Sequence, residues 1–398
     1  MLGKTLVKVI CATKCNIQPS RFFKVRLIAQ HIRIMKVVVI GTRGIPNIQG
    51  GVETHCEELF PRIAELGADV TIIRRTCHVP DGDHLTSYKG VKLVDVYAPK
   101  RKSLEAIVHS ILATFKAKRL GADILHVHAI GPSLCCPLAR LLGMKVVSTN
   151  HGPDYDRQKW GFLAKAMLRT GEWCQAHFAN HIISISNVIS NILASKYNRT
   201  KDVSLIFNGV SIPAKSTATD FLSELNLEPK KYVFALARFV PEKRFDLLIE
   251  AFQACKHEGY QLVLAGDADH ESAYSRQLKK QAAEAGVILP GFIKGEKLNQ
   301  LFTNAALFVL PSTHEGLPIS LLEAMSYNVD VLVSDIPANQ LSELTENDFF
   351  HVDDQNHLTQ KLTEKLNAPR LGREYDLSRF NWDHIAQQTL SVYEKCKK

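Results

Sequence analysis

The chain has 398 residues, of which 45% are hydrophobic and 22% charged, so it is long enough for two globular domains of ordinary composition. No stretch approaches the roughly 20 apolar residues that a membrane-spanning helix requires. The nine cysteines are odd in number and without repeated spacing, so the sequence predicts neither a disulfide framework nor a zinc cluster and favours a reducing compartment.

The net charge of +9 is concentrated at the start of the chain. Residues 1–34 contain seven basic and no acidic residues, and the remaining residues carry 42 bases and 40 acids, a net charge of +2. That balance excludes a nucleic-acid-binding function based on overall charge. We interpret residues 1–34 as an extension outside the core, or as an artefact of the assigned start codon. A basic segment that contacts a membrane surface is the alternative.

From Met35 onward, short runs rich in β-branched residues alternate with stretches of helical length. The predicted strands of the first half are Lys36–Gly41, Asp69–Arg75, Val91–Ala98, Asp123–Ala129, Lys145–Asn150, His181–Ser186 and Val203–Phe207. The predicted helices fall near residues 51–66, 103–119, 132–142, 160–178 and 187–197. Near-continuous apolar strands interleaved with helices indicate a mostly parallel sheet covered on both faces.

The first half ends near residue 210, and residues 213–220 suit a linker because they are rich in Ser, Thr and Ala. The strands predicted after it are Tyr232–Leu236, Gln261–Ala265, Val287–Leu289, Leu307–Leu310, Val329–Ser334 and Phe349–Val352. The helices fall near 241–257, 272–285, 296–304, 318–327, 355–367 and 382–395. The pattern predicts an α/β protein with doubly wound domains at 35–210 and 211–378, a final helix within 379–398, and a ligand cleft between the two sheets.

Residues 311–323 read Pro-Ser-Thr-His-Glu-Gly-Leu-Pro-Ile-Ser-Leu-Leu-Glu and follow an apolar run. Pro318 suits the first turn of a helix, so the segment predicts a strand, a tight turn and a helix start. Free backbone N–H groups at such a start attract phosphate. Glu315 and Glu323 can accept hydrogen bonds from sugar hydroxyls on either side of a diphosphate. A plain helix start with one loop glutamate and one surface glutamate is the alternative.

A glycine-rich loop at residues 41–53 follows the first strand and opens a helix. Its glycines at 41, 44, 50 and 51 do not match the dinucleotide fingerprint Gly-x-Gly-x-x-Gly. Gly50 and Gly51 would let backbone amides approach a bound phosphate or sugar. An ordinary turn is the alternative.

His151 lies just past the carboxyl end of the strand Lys145–Asn150, where α/β domains place reactive groups. Its ring could bind a sugar hydroxyl or share charge that develops near the anomeric carbon. A loop histidine without a task is the alternative. His126 and His128 end the preceding strand, and His128 would either point toward the cleft or pack in the core.

Two basic residues, Arg238 and Lys243, follow the first strand of the second half. Cations at the carboxyl end of a sheet suit a pyrophosphate, whose charge must be neutralised as it leaves. A solvated basic turn is the alternative. Arg244 is adjacent to Lys243, so the sequence leaves open which of the two faces the cleft.

Aspartate pairs with one intervening residue occur at 81/83, 154/156 and 267/269. Such a pair can hold a divalent metal on a nucleotide diphosphate. Only the pair at 267/269 follows a predicted strand, and three occurrences in an ordinary composition indicate chance. We therefore assign no metal site from the sequence.

Taken together, these motifs resemble those of the retaining glycosyltransferases of family 4, whose GT-B fold has two Rossmann-like domains facing each other across a cleft. The resemblance runs from about Met35 to the final helix, which resembles the helix that crosses back onto the N-terminal domain. One departure is Arg244, where the family usually has glycine. The motifs that carry the resemblance are the paired glutamates Glu315 and Glu323, the diphosphate-binding pair Arg238 and Lys243, the glycine loop Gly50–Glu53 and the interdomain motif Asn208–Val210.

The resemblance implies a role for each candidate site residue. Glu323 would bind the ribose hydroxyls, Glu315 the donor sugar, and His151 the sugar near the reaction centre. Phe292 and Ile293 would hold the base through backbone groups. The diphosphate would be held by Arg238, Lys243 and the amides of Gly316 and Leu317.

Within the family, the segments Gly-Thr-Arg-Gly-Ile-Pro and Gly-Gly-Val-Glu-Thr resemble bacterial enzymes of exopolysaccharide, capsule or O-antigen assembly, rhamnosyltransferases among them. This implies a nucleotide-sugar donor, a lipid-linked glycan acceptor and a cytoplasmic protein that contacts the inner membrane peripherally. Basic residues near Trp and Phe suit an anionic bilayer, and solvated helix faces are the alternative. These basic and aromatic residues are Lys100, Arg101, Lys102, Lys116, Lys118, Arg119, Arg157, Lys159, Trp160, Lys165 and Arg169.

The sequence and the resemblance therefore predict a retaining hexosyltransferase (EC 2.4) that requires no metal or cofactor and binds no nucleic acid. A hinged sugar-binding protein of two α/β domains is one alternative, but it would need an export signal that the sequence does not convincingly contain. A nucleotide-sugar epimerase is another, and it would act on the donor without an acceptor. The paired glutamates and the cation pair favour transfer over both.

Overall fold

The structure is a computed structural model, and it describes residues 34–80, 82–100, 104–153, 155, 161–256, 259–268, 271–368 and 372–397. The chain divides into the units Met1–Met35 and Lys36–Lys398, and every element below belongs to the second. The predicted extension up to residue 33 lies outside the described residues, as does at least one member of each aspartate pair. So do five of the predicted membrane-facing residues, namely Arg101, Lys102, Arg157, Lys159 and Trp160.

The first half forms a sheet of eight strands in the order β3-β4-β2-β1-β5-β6-β7-β8. The strands are β1 (Lys36–Ile40), β2 (Asp69–Arg75), β3 (Ser87–Tyr88), β4 (Val91–Val96), β5 (Ile124–His128), β6 (Lys145–Asn150), β7 (His181–Ser184) and β8 (Val203–Leu205). β3 pairs with β4 in antiparallel orientation, and the other strand pairs of this sheet are parallel.

The second half forms a parallel sheet of six strands in the order β11-β10-β9-β12-β13-β14. Its strands are β9 (Tyr232–Leu236), β10 (Gln261–Ala265), β11 (Ile288–Gly291), β12 (Leu307–Leu310), β13 (Asp330–Ser334) and β14 (Phe349–Phe350). Central strands such as β5 and β13 are buried along their whole length, because helices cover both faces of each sheet.

Twelve α-helices lie in the described part of the chain. They are α1 (Gly51–Glu65), α2 (Glu105–Arg119), α3 (Cys136–Leu141), α4 (Phe162–Phe178), α5 (Asn187–Tyr197), α6 (Asp220–Glu224), α7 (Phe245–Ala254), α8 (Ala273–Glu284), α9 (Gly295–Asn304), α10 (Ile319–Ser326), α11 (Gln355–Asn367) and α12 (Trp382–Lys397). Right-handed crossovers and this strand order put α2 to α5 on one face of the first sheet and α1 on the other. The final helix α12 packs against α1.

Strand order reverses once in each sheet, between β1 and β5 and between β9 and β12. In open α/β sheets the crevice outside the carboxyl ends of such strands is where ligands bind. The fold therefore confirms the predicted pair of doubly wound α/β domains. The strand-order reversals indicate a candidate site at the loops after β1, β5, β9 and β12.

Two local predictions were wrong, and two short elements were missed. The helix predicted near 241–257 begins at Phe245, because Pro241–Lys243 form a 3₁₀ turn and Arg244 has a left-handed φ of 48° that α-helical geometry does not permit. Pro318 precedes α10 instead of lying in its first turn, since its ψ of 115° is extended. The two short elements β3 and α6 were not predicted, and α6 begins at Asp220, the last residue of the predicted linker.

Candidate active site

The loop between β12 and α10 (residues 311–318) lies at the strand-order reversal of the second sheet. A Cβ atom on Gly316 would lie 2.2 Å from the carbonyl oxygen of His151, so glycine is required where the first half of the chain touches this loop. Leu317 is buried, and the backbone amides that follow it open α10. Amides at such a helix start form an anion-binding surface.

Lys243 and Glu315 form an ion pair, and both side chains are largely buried. The neighbouring Arg244 is directed elsewhere, because its guanidinium pairs with Asp353 and its Nε lies 3.4 Å from a carboxylate oxygen of Asp246. Of the two adjacent cations, Lys243 is thus the one that reaches the loop after β12.

Arg238 lies two residues beyond β9, at the same strand-order reversal as Glu315. It is partly buried, and its carbonyl oxygen accepts a hydrogen bond of 2.9 Å from the amide of Val240 in the turn that leads to Lys243. Both predicted cations therefore lie in the short segment between β9 and α7, at the carboxyl edge of the second sheet.

Glu323 lies in α10 with its carboxyl group in a desolvated environment. Burial raises the pKa of Glu323 to about 7, repulsion from Glu58 adds to the rise, and Lys294 opposes it. A carboxyl group with this pKa is half-ionised near neutral pH, which makes it sensitive to a ligand that donates hydrogen bonds.

Phe292 and Ile293 follow β11, and their side chains differ in exposure, with Phe292 42% exposed and Ile293 8%. The ammonium of Lys294 lies 5.9 Å from the centre of the Phe292 ring and 3.1 Å from a carboxylate oxygen of Glu57 on α1. This ion pair joins the edges of the two sheets and was not predicted.

The glycine loop after β1 is held by its own side chains. The Glu53 carboxylate accepts hydrogen bonds from the Arg43 amide at 3.0 Å and the Thr42 hydroxyl at 3.3 Å. Gly50 has a φ of 147°, and a Cβ there would lie 2.1 Å from Glu53 Oε2. Gly51 is the first residue of α1, and apart from its chain neighbours and the nearby helix backbone no described atom lies within 4 Å of a Cβ atom placed on it. Gly50 is therefore needed to form the loop, and the space around Gly51 is available to a ligand.

Four histidines cluster at the carboxyl edge of the first sheet. His128 Nδ1 lies 3.0 Å from His151 Nε2, the His126 and His128 rings stack at 4.3 Å, and the ring of His55 on α1 lies 5.1 Å from that of His151. Burial lowers the pKa of His55, His126 and His151 to about 3 and that of His128 well below its usual range, and repulsion within the cluster adds to this. All four rings are neutral at pH 7.

Asn208 connects this cluster to the loop after β12. Its Oδ1 lies 3.0 Å from His55 Nδ1, and its Nδ2 donates a hydrogen bond of 2.8 Å to the carbonyl oxygen of Leu317. One buried side chain thus links α1 with the loop at the carboxyl edge of the second sheet. This contact is consistent with the interdomain position that the resemblance implied.

Two family models match the chain and together span most of it. The model described as Glycosyltransferase Family 4 matches residues 49–212, and the model described as Glycosyl transferases group 1 matches residues 218–375. The chain belongs to the family 4 glycosyltransferases. The two models divide the site residues between them. Gly50, Gly51 and His151 fall in the first, and the cation pair and both glutamates fall in the second.

This family 4 glycosyltransferase is 22% identical over 401 residues to an uncharacterized glycosyltransferase of Methanocaldococcus jannaschii, which covers 90% of this chain and 98% of that protein. Among solved structures, sucrose-phosphate synthase of Thermosynechococcus elongatus has a TM-score of 0.76 at 20% identity, covering 91% of this chain and 98% of that one. Anabaena HepE in complex with UDP-glucose has a TM-score of 0.68 at 17% identity, covering 92% and 98%. These likenesses confirm the GT-B fold.

Besides the Lys294–Glu57 ion pair, sequence reasoning missed His55. The available signal was its place in the first turns of the helix after β1, at the same sheet edge as His151. In this glycosyltransferase, no helix in the described ranges combines the length and apolar character needed to cross a bilayer. The roles that the resemblance assigns to individual residues stay predictions, as do the domain boundaries.

Proposed function

We propose that this enzyme transfers a sugar from a nucleoside diphosphate sugar to a hydroxyl group of an acceptor, with retention of anomeric configuration. The observation that carries the proposal is the meeting at one sheet edge of Arg238, the Lys243–Glu315 ion pair and the start of α10, directly against the backbone of His151. The complex of Anabaena HepE with UDP-glucose, a protein of the same fold, supports a nucleotide-sugar donor.

In this proposal the donor lies along the loop from Pro311 to α10. The amides of Gly316 and Leu317, with Arg238 and Lys243, bind the diphosphate, because amides and cations at a helix start bind anions. Glu315 binds a hydroxyl of the donor sugar, and its ion pair with Lys243 keeps the carboxylate next to a cation that binds the phosphates.

The two ends of the nucleoside have separate partners. Glu323 accepts hydrogen bonds from the ribose hydroxyls in its ionised form. Backbone groups of Phe292 and Ile293 bind the base, and the exposed Phe292 ring offers an apolar surface beside it. Gly50 and Gly51 approach the donor from the opposite sheet.

The chemistry requires no group beyond the chain and its two substrates. The bond from the anomeric carbon to the diphosphate oxygen breaks, a bond from the acceptor oxygen forms on the same face, and the acceptor proton passes to the departing oxygen. Negative charge grows on the diphosphate, where Arg238, Lys243 and the helix amides stabilise it. His151 contacts the sugar as a neutral hydrogen-bonding group. We propose that no divalent metal is needed at the diphosphate.

The acceptor in this proposal is a lipid-linked glycan of surface polysaccharide assembly. Exposed apolar side chains form a stripe along α2 and at the residue before it, and they are each 41–47% exposed, namely Leu104, Ile111, Leu112 and Phe115. Lys118 and Arg119 are exposed at its end, and Phe162 and Leu163 at the start of α4, on the same sheet face, are 89% and 74% exposed. Apolar side chains flanked by basic ones suit the surface of an anionic membrane at the cytoplasmic face.

A thermal-shift panel tests the donor. UDP-, GDP- and dTDP-sugars are added to the full chain with and without magnesium, in parallel with Glu323→Ala. A donor at 100 times its dissociation constant should stabilise the protein by roughly 2.7 kcal/mol. We expect a shift with one nucleotide class, independent of magnesium and reduced in the variant. No shift with any nucleotide sugar would refute the donor assignment, and an altered sugar in reactions of donor alone would indicate an epimerase.

Co-sedimentation with vesicles tests the membrane contact. Vesicles containing phosphatidylglycerol are compared with pure phosphatidylcholine vesicles, for the full chain and for a variant with Ile111→Ser and Phe115→Ser. Leu66→Ser is the matched control, since Leu66 is 44% exposed at the end of α1 on the opposite face. We expect binding to anionic vesicles to fall at least tenfold in the α2 variant alone, and equal binding by all three proteins would contradict the proposal.

A further inference from the structure

The histidine cluster contains three rings in an arrangement that suits a metal ion. One ring nitrogen from each of His55, His128 and His151 lies within 4.8 Å of the other two. The three residues come from α1, the end of β5 and the loop after β6, and they meet at the carboxyl edge of the first sheet. Two of them are fully buried and His151 is partly exposed.

Two nitrogens of this cluster lack partners. His55 Nε2 and His128 Nε2 are buried, and neither makes a hydrogen bond to any described residue. Leaving a buried polar atom unpaired costs about 1–3 kcal/mol, and such atoms in a native protein call for an explanation, a bound ion among them. The neighbouring His126 is different, because both its nitrogens are bonded, to the Tyr393 hydroxyl at 2.6 Å and the Thr149 hydroxyl at 2.7 Å.

Asn208 orients the first of these rings. Because its Oδ1 can only accept, His55 Nδ1 carries the proton at the 3.0 Å contact and Nε2 retains a lone pair for a ligand. Metal-binding histidines usually donate their second N–H to an oxygen in this way, which fixes the tautomer and the ring orientation. Asn208 supplies that contact for His55.

We propose that His55, His128 and His151 form a binding site for one divalent transition-metal ion of the zinc class. Zinc binds imidazole nitrogens at about 2.0–2.1 Å, which puts tetrahedral ligands roughly 3.3 Å apart, so nitrogens separated by up to 4.8 Å must move closer on binding. No carboxylate belongs to this trio, which disfavours magnesium and calcium because both prefer oxygen ligands. Three protein ligands leave a fourth coordination position for water or another ligand.

Occupancy of this site would have a consequence for transfer. A metal ion takes the lone pair of His151 and holds the ring in place, so His151 can no longer adjust to the donor sugar. We expect zinc to inhibit the enzyme, with chelators restoring activity. This consequence rests on the proposed function, whereas metal binding itself does not.

Metal binding is measured on the full chain after chelator treatment and dialysis against cobalt(II) or zinc(II). We expect about one equivalent of retained metal and the intense visible absorption of tetrahedral cobalt(II). His55→Gln should retain less than a tenth of an equivalent, while the buried control His126→Gln should retain as much as the unaltered chain. Circular dichroism and thermal melts check that each variant folds. No retained metal, or equal retention by His55→Gln, would overturn the proposal.

A second variant, His55→Cys, tests the site even if His55→Gln does not fold, because it should add a spectroscopic signal. His55→Cys keeps a ligand at this position, so its cobalt(II) form should gain a sulfur-to-metal charge-transfer band that the unaltered chain lacks. A folded His55→Cys protein whose cobalt spectrum equals that of the unaltered chain would also refute the site.

Activity is measured separately, each variant against its own metal-free rate. We expect zinc to lower transfer at least tenfold in the unaltered chain and less than twofold in His55→Gln. One bound equivalent without inhibition would leave the metal site standing and reject its effect on His151. Absence of transfer in the metal-free enzyme would instead reject the proposed function.

Discussion

The two sheet edges that meet at the site differ in how they carry charge. The second sheet presents Arg238, the Lys243–Glu315 ion pair and a glutamate with a raised pKa, whereas the first presents four imidazoles that burial keeps neutral. At the edge of the second sheet, opposite charges such as Lys243 and Glu315 stabilise each other. At the edge of the first sheet, the packed histidines shield one another from water, so none of them gains a proton at neutral pH.

This difference suits the proposed transfer. Negative charge develops on the departing diphosphate, and the cations of the second sheet lie where they would meet it. Positive charge develops at the anomeric carbon, and a protonated histidine beside it would raise the barrier. A neutral His151 can bind the sugar without that cost, so the neutrality of these imidazoles is as useful as the charge of the cations on the second edge.

The largest expected effect comes from removing a cation of the charged edge. Arg238→Ala should lower kcat/KM about 30- to 1,000-fold, equivalent to roughly 2–4 kcal/mol of transition-state stabilisation. Initial rates with a saturating acceptor measure it. Unchanged turnover in a folded Arg238→Ala protein would reject the assignment of this edge to the diphosphate.

Lys243 and Arg244 offer a matched pair of adjacent cations with different partners. Lys243→Ala should lower kcat/KM roughly 10- to 150-fold, since a hydrogen bond to a charged group contributes about 1.5–3 kcal/mol. Arg244→Gly should leave activity within twofold, because Arg244 pairs with Asp353 away from the loop. Similar losses of activity in the two variants would show that any cation near this turn suffices, whether or not its side chain reaches the loop after β12.

The pH dependence of donor binding distinguishes the two edges directly. Donor affinity should rise about tenfold from pH 6 to pH 8, as Glu323 with its pKa of about 7 ionises and becomes a better acceptor for ribose hydroxyls. The histidines contribute nothing in this range because their pKa values lie far below it. Two contributions to ligand-free stability oppose each other. That of Glu323 falls as pH rises toward its folded pKa of about 7, since the folded state holds this proton longer, whereas that of the four histidines rises with pH until their unfolded pKa of about 6.5 is passed, since the folded state keeps them neutral.

Calorimetry with a nucleotide sugar, which has no titrating terminal phosphate, measures this affinity at both pH values. Glu323→Gln should flatten the profile, and His151→Gln should weaken binding while keeping the slope. If His151→Gln flattened the profile and Glu323→Gln kept the slope, His151 would titrate near neutrality and the histidine cluster would carry charge.

The smallest expected effect concerns the residue that departs from the family pattern. Arg244 has a left-handed φ of 48°, which costs a non-glycine residue about 1–2 kcal/mol. Arg244→Gly relieves that strain, but it loses ion pairs of about 0–1 kcal/mol and adds about 0.5–1 kcal/mol of backbone entropy cost, so the free energy of unfolding should change by no more than about 1 kcal/mol. Denaturant unfolding measures it, with Asp353→Ala isolating the ion-pair contribution. A loss of more than 1 kcal/mol would mean that the ion pairs outweigh the strain.

Much of the fold could be predicted because its strands are buried on both faces. Such strands read as continuous apolar runs, and the predicted bounds of β2, β6, β9, β10 and β12 equal the observed ones. The errors fall where local pattern is weak. β3 has two residues, α6 has five, and the start of α7 depends on the backbone angle of Arg244.

The sequence by itself determined the order of the elements and the loops that carry Gly50, Arg238 and Glu315, because apolar periodicity and turn residues act over a few neighbours. Only the tertiary structure decided that Lys243 and not Arg244 reaches Glu315, that Glu323 titrates near neutrality, and that His55 joins His128 and His151. These properties depend on desolvation and on contacts between residues far apart in the chain, which no local pattern records.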